Sequence, residues 1–196
     1  MVGAEGISDS PGVPKRADAR RNEITLLEAA SAAFISFGVE VPVREIAARA
    51  GVGVGTFYRH FPTRADLIVA VYKHQVEACA DAGPNLLAAN VSAPFVALEQ
   101  WINLFVDFLI TKHGLAEALQ SDSRAFEVLH AYFVERLVPV FAQLLDAAAK
   151  SGEVLPEVRA YELLRGIGNL CVGAQNNPDY DARRMVNLVV AGLHLR

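Results

Sequence analysis

Between Val43 and Phe61 the chain reads Val-Arg-Glu-Ile-Ala-Ala-Arg-Ala-Gly-Val-Gly-Val-Gly-Thr-Phe-Tyr-Arg-His-Phe, and no other stretch constrains the fold as much. Ile46, Ala47 and Ala50 lie on one face of a short helix running from Val43 to Ala50. Gly51 follows where a helix ends in a left-handed residue, a conformation that glycine adopts without a Cβ penalty. Val52 then plugs the corner, and Gly53 and Val54 open a second short helix anchored through Phe57 and Phe61. Two short helices about a glycine corner form the layout of a helix-turn-helix, whose second helix enters a DNA major groove. The same layout also occurs in all-α proteins without that role, so the flanking sequence has to decide.

Residues 1–20, rich in glycine and proline and ending in basic residues, are expected to be a disordered basic arm. It is either a tail in solvent or a strand of charge that tracks phosphates. A first helix follows from Arg21 to Phe37, with Ile24, Leu27, Ala30, Phe34 and Phe37 inward, and Gly38 ends it. Thr63 and Asp66 match a capping box, so a fourth helix begins at Arg64 and is expected to stop by Gly83-Pro84. Beyond it the periodicity predicts helices over 94–111, 115–119, 123–150, 156–173 and 178–193, with Pro139 kinking or splitting the longest. No stretch alternates with period two. The expected class is therefore all-α, with about nine helices: a helix-turn-helix domain over 21–66 and a larger helical domain over 67–196.

Charge is distributed unevenly. The net charge of −4 argues against a wholly basic coat, yet residues 1–75 hold nine Lys/Arg against eight Asp/Glu, and residues 76–196 hold nine against fourteen. A neutral-to-basic module on an acidic one suits a DNA reader joined to a sensing or dimerising domain. Apolar residues make up 53% of the chain, but no run of eighteen uncharged apolar residues and no signal-peptide core is present. A cytoplasmic protein is expected, with Cys79 and Cys171 as free thiols. No nucleophile–base pair, metal-ligand spacing or phosphate loop is visible, and His113 and His130 are isolated. The chain therefore reads as neither an enzyme nor a cofactor or metal binder.

Residues 22–72 resemble the DNA-binding domain of the TetR family of transcriptional regulators. The resemblance rests on Glu28-Ala29-Ala30, Phe34 to Gly38, Ile46-Ala47, Ala50-Gly51-Val52, the run Gly55-Thr56-Phe57-Tyr58-Arg59-His60-Phe61, and Arg64 with Leu67. It implies a ligand-responsive regulator, a repressor released from its operator by a small molecule, and the many Phe, Leu and Val of the second domain suggest an apolar or amphipathic one. Where the family's second and third helices commonly begin with Thr and Ser, this chain has Val43 and Val54. Base readout is then expected from Arg44, Gly55 and Thr56, with Val54 available to a thymine methyl. Tyr58, His60 and Arg64 are expected on phosphates, the last at a helix N-terminus that favours an anion. Arg59 is expected to be a solvated or arm-facing charge.

One such module reads only a few base pairs, so a homodimer on a pseudo-palindromic double-stranded operator is expected. Leu163, Ile167, Leu170, Met185, Leu188 and Val189 on the last two helices either form its interface or fill the monomer core. The resemblance also implies an effector pocket in the second domain. Its candidates are Trp101, Phe105, Asp107, His130, Phe133, Asn169 and Gln175, with Asn103 and Tyr132 beside them.

Overall fold

The computed structural model describes residues 13–111, 123–172 and 179–195. Among them the chain forms eight helices: α1 (Val13–Phe37), α2 (Val43–Arg49), α3 (Val54–His60), α4 (Arg64–Ala89), α5 (Pro94–Thr111), α6 (Ser123–Lys150), α7 (Ala160–Val172) and α8 (Ala182–Leu193). The fold is all-α, and an isolated bridge between Val154 and His194 is the sole β pairing among the described residues. The short helix expected over 115–119 lies outside the described residues, as do residues 1–12 of the arm and Gln175.

Several helix ends differ from the sequence reading. α1 begins at Val13 rather than Arg21. Pro14 stands in the first turn, where a missing N–H breaks no bond, and Lys15 to Arg21 are mostly strong helix formers. The buried stripe of α1 is Leu26, Leu27, Ala30, Ala33 and Phe34, while Ile24 and Phe37 are exposed. Phe37 instead lies under the Arg49 guanidinium, 4.9 Å from the ring centroid. α4 does not stop at Gly83-Pro84 but continues through both, and α6 passes through Pro139 as one helix. Both prolines are on exposed faces. α7 starts at Ala160 because Pro156 is used in a turn, closed by Val158 N–H donating to the Leu155 carbonyl at 3.4 Å. α8 starts at Ala182, capped by the Asp181 carboxylate, which accepts from Arg184 N–H at 2.9 Å.

α4 is the spine. It packs on α1 at one end and on α5 and α6 along the rest, so the boundary expected after residue 66 falls inside a single helix. Leu67, Ile68, Val71, Tyr72, Val76 and Cys79 are buried along it. The centre of the body is aromatic. Trp101 is fully buried and stacks on Phe105 and Phe141 at 5.6 and 5.1 Å between centroids. Its indole N–H donates to the Cys79 carbonyl at 2.7 Å, so a large polar-tipped ring is buried with its donor satisfied. Gly83 makes the crossing of α4 and α6 possible: a Cβ there would sit 2.2 Å from Val140 Cγ1. Residues 127–150 of α6 are long and apolar enough to cross a membrane by length and composition. Leu137, Phe141, Leu144 and Ala148 of this segment face the core.

Candidate nucleic-acid interface and effector domain

The glycine corner forms as the sequence predicts. Gly51 has φ +67°. Its N–H donates to the Ala48 carbonyl at 3.1 Å and Val52 N–H to the Ala47 carbonyl at 3.0 Å, the paired bonds of a Schellman end. Phe57 is fully buried and Phe61 nearly so, packed edge to face at 5.6 Å. With those two rings inward, α3 turns the opposite face outward. Val54, Gly55, Tyr58 and Arg59 are exposed there, and Thr56 and His60 are half-buried at its margin. Tyr58 stands edge-on to Phe57 at 5.6 Å, so its ring is supported while the residue as a whole stays exposed. An added Cβ at Gly55 would meet nothing within 4 Å, leaving bare backbone on the outer face. Arg59 is not a free charge. It donates to the Gly55 carbonyl and to Thr56 Oγ1, both at 3.3 Å, and so lies back along α3. On α2 Arg44 is exposed, and Arg49 pairs with Glu45 at 3.0 Å.

Arg64 bonds within the protein. The capping box forms as predicted: Thr63 Oγ1 accepts from Asp66 N–H at 3.1 Å, and Asp66 Oδ2 accepts from Thr63 N–H at 2.9 Å. From that first turn, however, the Arg64 guanidinium reaches back to the link between α1 and α2. Its Nη2 donates to the Val41 carbonyl at 2.9 Å and to the Val39 carbonyl.

The proposed pocket residues separate into two groups. Trp101, Phe105, Phe133 and His130 form one row of rings, with Phe105–Phe133 at 5.7 Å and His130–Phe133 at 6.1 Å. Trp101 and Phe105 are fully buried in it, Phe133 is half-buried and His130 exposed. Asp107 and Asn169 stand apart. Asp107 is exposed and pairs with Arg183 of α8, which also donates to Asn103 Oδ1 at 3.3 Å. Asn169 is exposed on α7. Among the interface candidates, Ile167 turns into the core and Leu163 and Leu170 are half-buried. Met185, Leu188 and Val189 are exposed, because α8 buries Ala182, Val186 and Val190 on its other face.

Sequence reasoning missed a polar cluster between α4 and α6. Glu77 accepts from Arg136 Nε at 2.8 Å, again from Arg136 Nη2, and from the Tyr132 hydroxyl. Lys73 lies over the Tyr132 ring at 5.4 Å. The Arg136 hydrogen bonds hold the Glu77 carboxyl below its ordinary range, and donation to Glu77 raises the Tyr132 hydroxyl. The four-residue spacing of Tyr132 and Arg136 was visible as one helix face, but their partner lies on another helix. Nearby, burial and then the Asp107 charge push the Cys79 thiol up to about 12, which makes it an inert core residue at neutral pH. The described residues contain no group of His, Cys, Asp and Glu suited to a metal.

Comparison with known proteins agrees with this architecture. Residues 26–71 match the bacterial regulatory proteins of the tetR family, and residues 93–195 match the C-terminal domain of SbtR-like transcriptional regulators. A TetR transcriptional regulator from Streptomyces coelicolor is 32% identical, with 88% of this chain and 98% of that one covered and a TM-score of 0.75. A TetR transcription regulatory protein from Mycobacterium vanbaalenii is 35% identical, with 93% and 100% covered and a TM-score of 0.72. A search of the curated proteins returned no match. A helix-turn-helix mounted on a spine helix, carrying a C-terminal helical domain of this kind and aligned along nearly its whole length, places the chain in the TetR family of transcriptional regulators.

Proposed function

We propose that this regulator is a ligand-responsive repressor. It acts in the cytoplasm as a homodimer on a pseudo-palindromic operator and is released by a small apolar or amphipathic molecule. The observation that carries the reading is the outer face of α3, which presents Val54, Gly55, Tyr58 and a partly covered Thr56 above a rigid Phe57–Phe61 anchor. Apolar and small groups there suit base edges, and Tyr58 with His60 suits the phosphates at the groove walls. Arg44 adds a cation from α2. The proposed dimer uses the exposed Met185, Leu188 and Val189 of α8, with Leu163 and Leu170 at its edge. Gly166 and Gly168 of α7, beside which an added Cβ would meet nothing within 4 Å, leave room for a second copy. The proposed effector binds beside the ring row of Phe105, Phe133 and His130, next to α4. It regulates only if it binds the DNA-competent and DNA-released arrangements with different affinity.

Selection of genomic fragments by the purified protein tests this reading. An enriched palindrome is expected, and its absence defeats the proposal. Replacing Tyr58 with Phe and His60 with Ala together is expected to weaken operator binding by about tenfold or more, as charge-assisted or neutral phosphate bonds are lost. The dimer, followed by sedimentation, should remain.

A further inference from the structure

We infer that Arg64 is a positioning residue for DNA recognition: it clamps the α1–α2 link to the start of α4 and thereby sets the angle at which α2 and α3 meet the duplex. The inference rests on the proposed DNA-binding role, and it replaces the phosphate contact expected from the sequence.

Three observations carry it. First, the side chains of Val39 and Val41 are buried, so the link is pinned on one side by apolar contacts and turns its carbonyls the other way. Both carbonyls accept from Arg64 Nη2, a donor with two hydrogens and a planar geometry suited to serving two acceptors. Second, α2 has no cap of its own. Its N-cap is Pro42, which makes no side-chain hydrogen bond, and its first residue is Val43. No side-chain cap therefore orients the start of α2, and the backbone of residues 39–41 leads directly into it. Third, the other end of the clamp is rigid. Arg64 stands beside the reciprocal Thr63–Asp66 box, on a helix that runs on into the body against α5 and α6. A shift of the α4 start would therefore be carried to α2 by the guanidinium as well as through the packing of Leu67 and Ile68.

A phosphate contact and a clamp respond differently to substitution. Lysine keeps the charge but loses the planar fork; glutamine loses both. The test measures operator and non-specific duplex binding across a salt series for the full chain, Arg64→Lys and Arg64→Gln. Hydrogen exchange at the amides of residues 43–50 is measured without DNA. If Arg64 is a clamp, both variants lose about tenfold or more in operator affinity, as expected for a lost hydrogen bond from a charged donor. Arg64→Lys then keeps the wild-type salt slope and non-specific affinity. Exchange over residues 43–50 rises in both variants, while the α4–α6 amides stay protected. The inference is overturned if Arg64→Lys binds the operator like the wild type while Arg64→Gln lowers the salt slope by about 0.9 per protomer, the signature of one phosphate contact. Should the wild-type protein select no operator, the functional reading fails. The clamp is then judged on exchange alone: faster exchange over 43–50 in both variants supports it, and unchanged exchange overturns it.

Discussion

The helix-turn-helix and the helical body each depend on a glycine, for unlike reasons. At Gly51 the backbone has φ +67°, and an added Cβ would meet nothing within 4 Å. The requirement there is conformational and belongs to the residue itself. At Gly83 the backbone is ordinary helix, but a Cβ would sit 2.2 Å from Val140 Cγ1 and 3.7 Å from the Trp101 indole nitrogen. The requirement there is spatial and belongs to a neighbour on another helix. A turn of the DNA reader is thus specified over a handful of adjacent residues. The crossing that holds the helical body together is specified by residues that meet only after folding.

This contrast can be broken by experiment. The largest effect is expected at the body's centre: Trp101→Ala removes a fully buried ring and should lower stability by about 3–5 kcal/mol, measured by denaturant unfolding. A loss below that range would mean that the body is packed more loosely around its aromatic row than the stacking distances indicate. The two glycines come next. Gly51→Ala should cost about 1–2 kcal/mol from the left-handed backbone. Gly83→Ala would normally stabilise a helix by about 0.5–1 kcal/mol, but here is expected to destabilise by about 1–3 kcal/mol through overpacking. Adding Val140→Ala should recover much of the stability lost at Gly83 and none of that lost at Gly51. Equal rescue, or none at either site, would erase the distinction. The smallest effect is electrostatic. Because Arg136 holds the folded Glu77 carboxyl below its ordinary value of 4.5, this cluster's contribution is complete above that pH and fades as the pH falls through the lowered folded value. The pair is partly exposed, so the loss should be smaller than either glycine effect. Thermal unfolding from pH 6 to 3 should show it as a slightly steeper acid limb in the wild type than in Glu77→Gln.

What the sequence made legible follows the same division. The Gly51 corner and the Thr63–Asp66 cap are specified within a few residues, and they appear where expected. Gly83-Pro84 reads locally as a helix stop and is none, because the glycine accommodates Val140 and the proline ring faces outward. Phe37 reads as core by spacing, but it lies at the last turn of α1, where Arg49 covers it. Arg64 shows the limit most clearly. Its charge and helix-terminal position point to an anion, yet the acceptors it uses are carbonyls in a link more than twenty residues earlier. Asp107 likewise reads as a polar group on an apolar helix, and its partner Arg183 sits on the last helix. In each case the deciding partner is distant in sequence, and hydrophobic periodicity carries no information about it.

The chain has a single tryptophan, and its placement has an optical consequence. Trp101 is fully buried, stacked between Phe105 and Phe141 and hydrogen-bonded to the Cys79 carbonyl of α4. The native protein should therefore emit from one apolar, hydrogen-bonded indole, blue of the free amino acid and shielded from aqueous quenchers. Any event that slides α4 along α5 changes that indole's hydrogen-bond acceptor directly. The protein thus contains its own fluorophore where α4 and α5 meet, and a rearrangement of that joint can be followed with neither a label nor DNA.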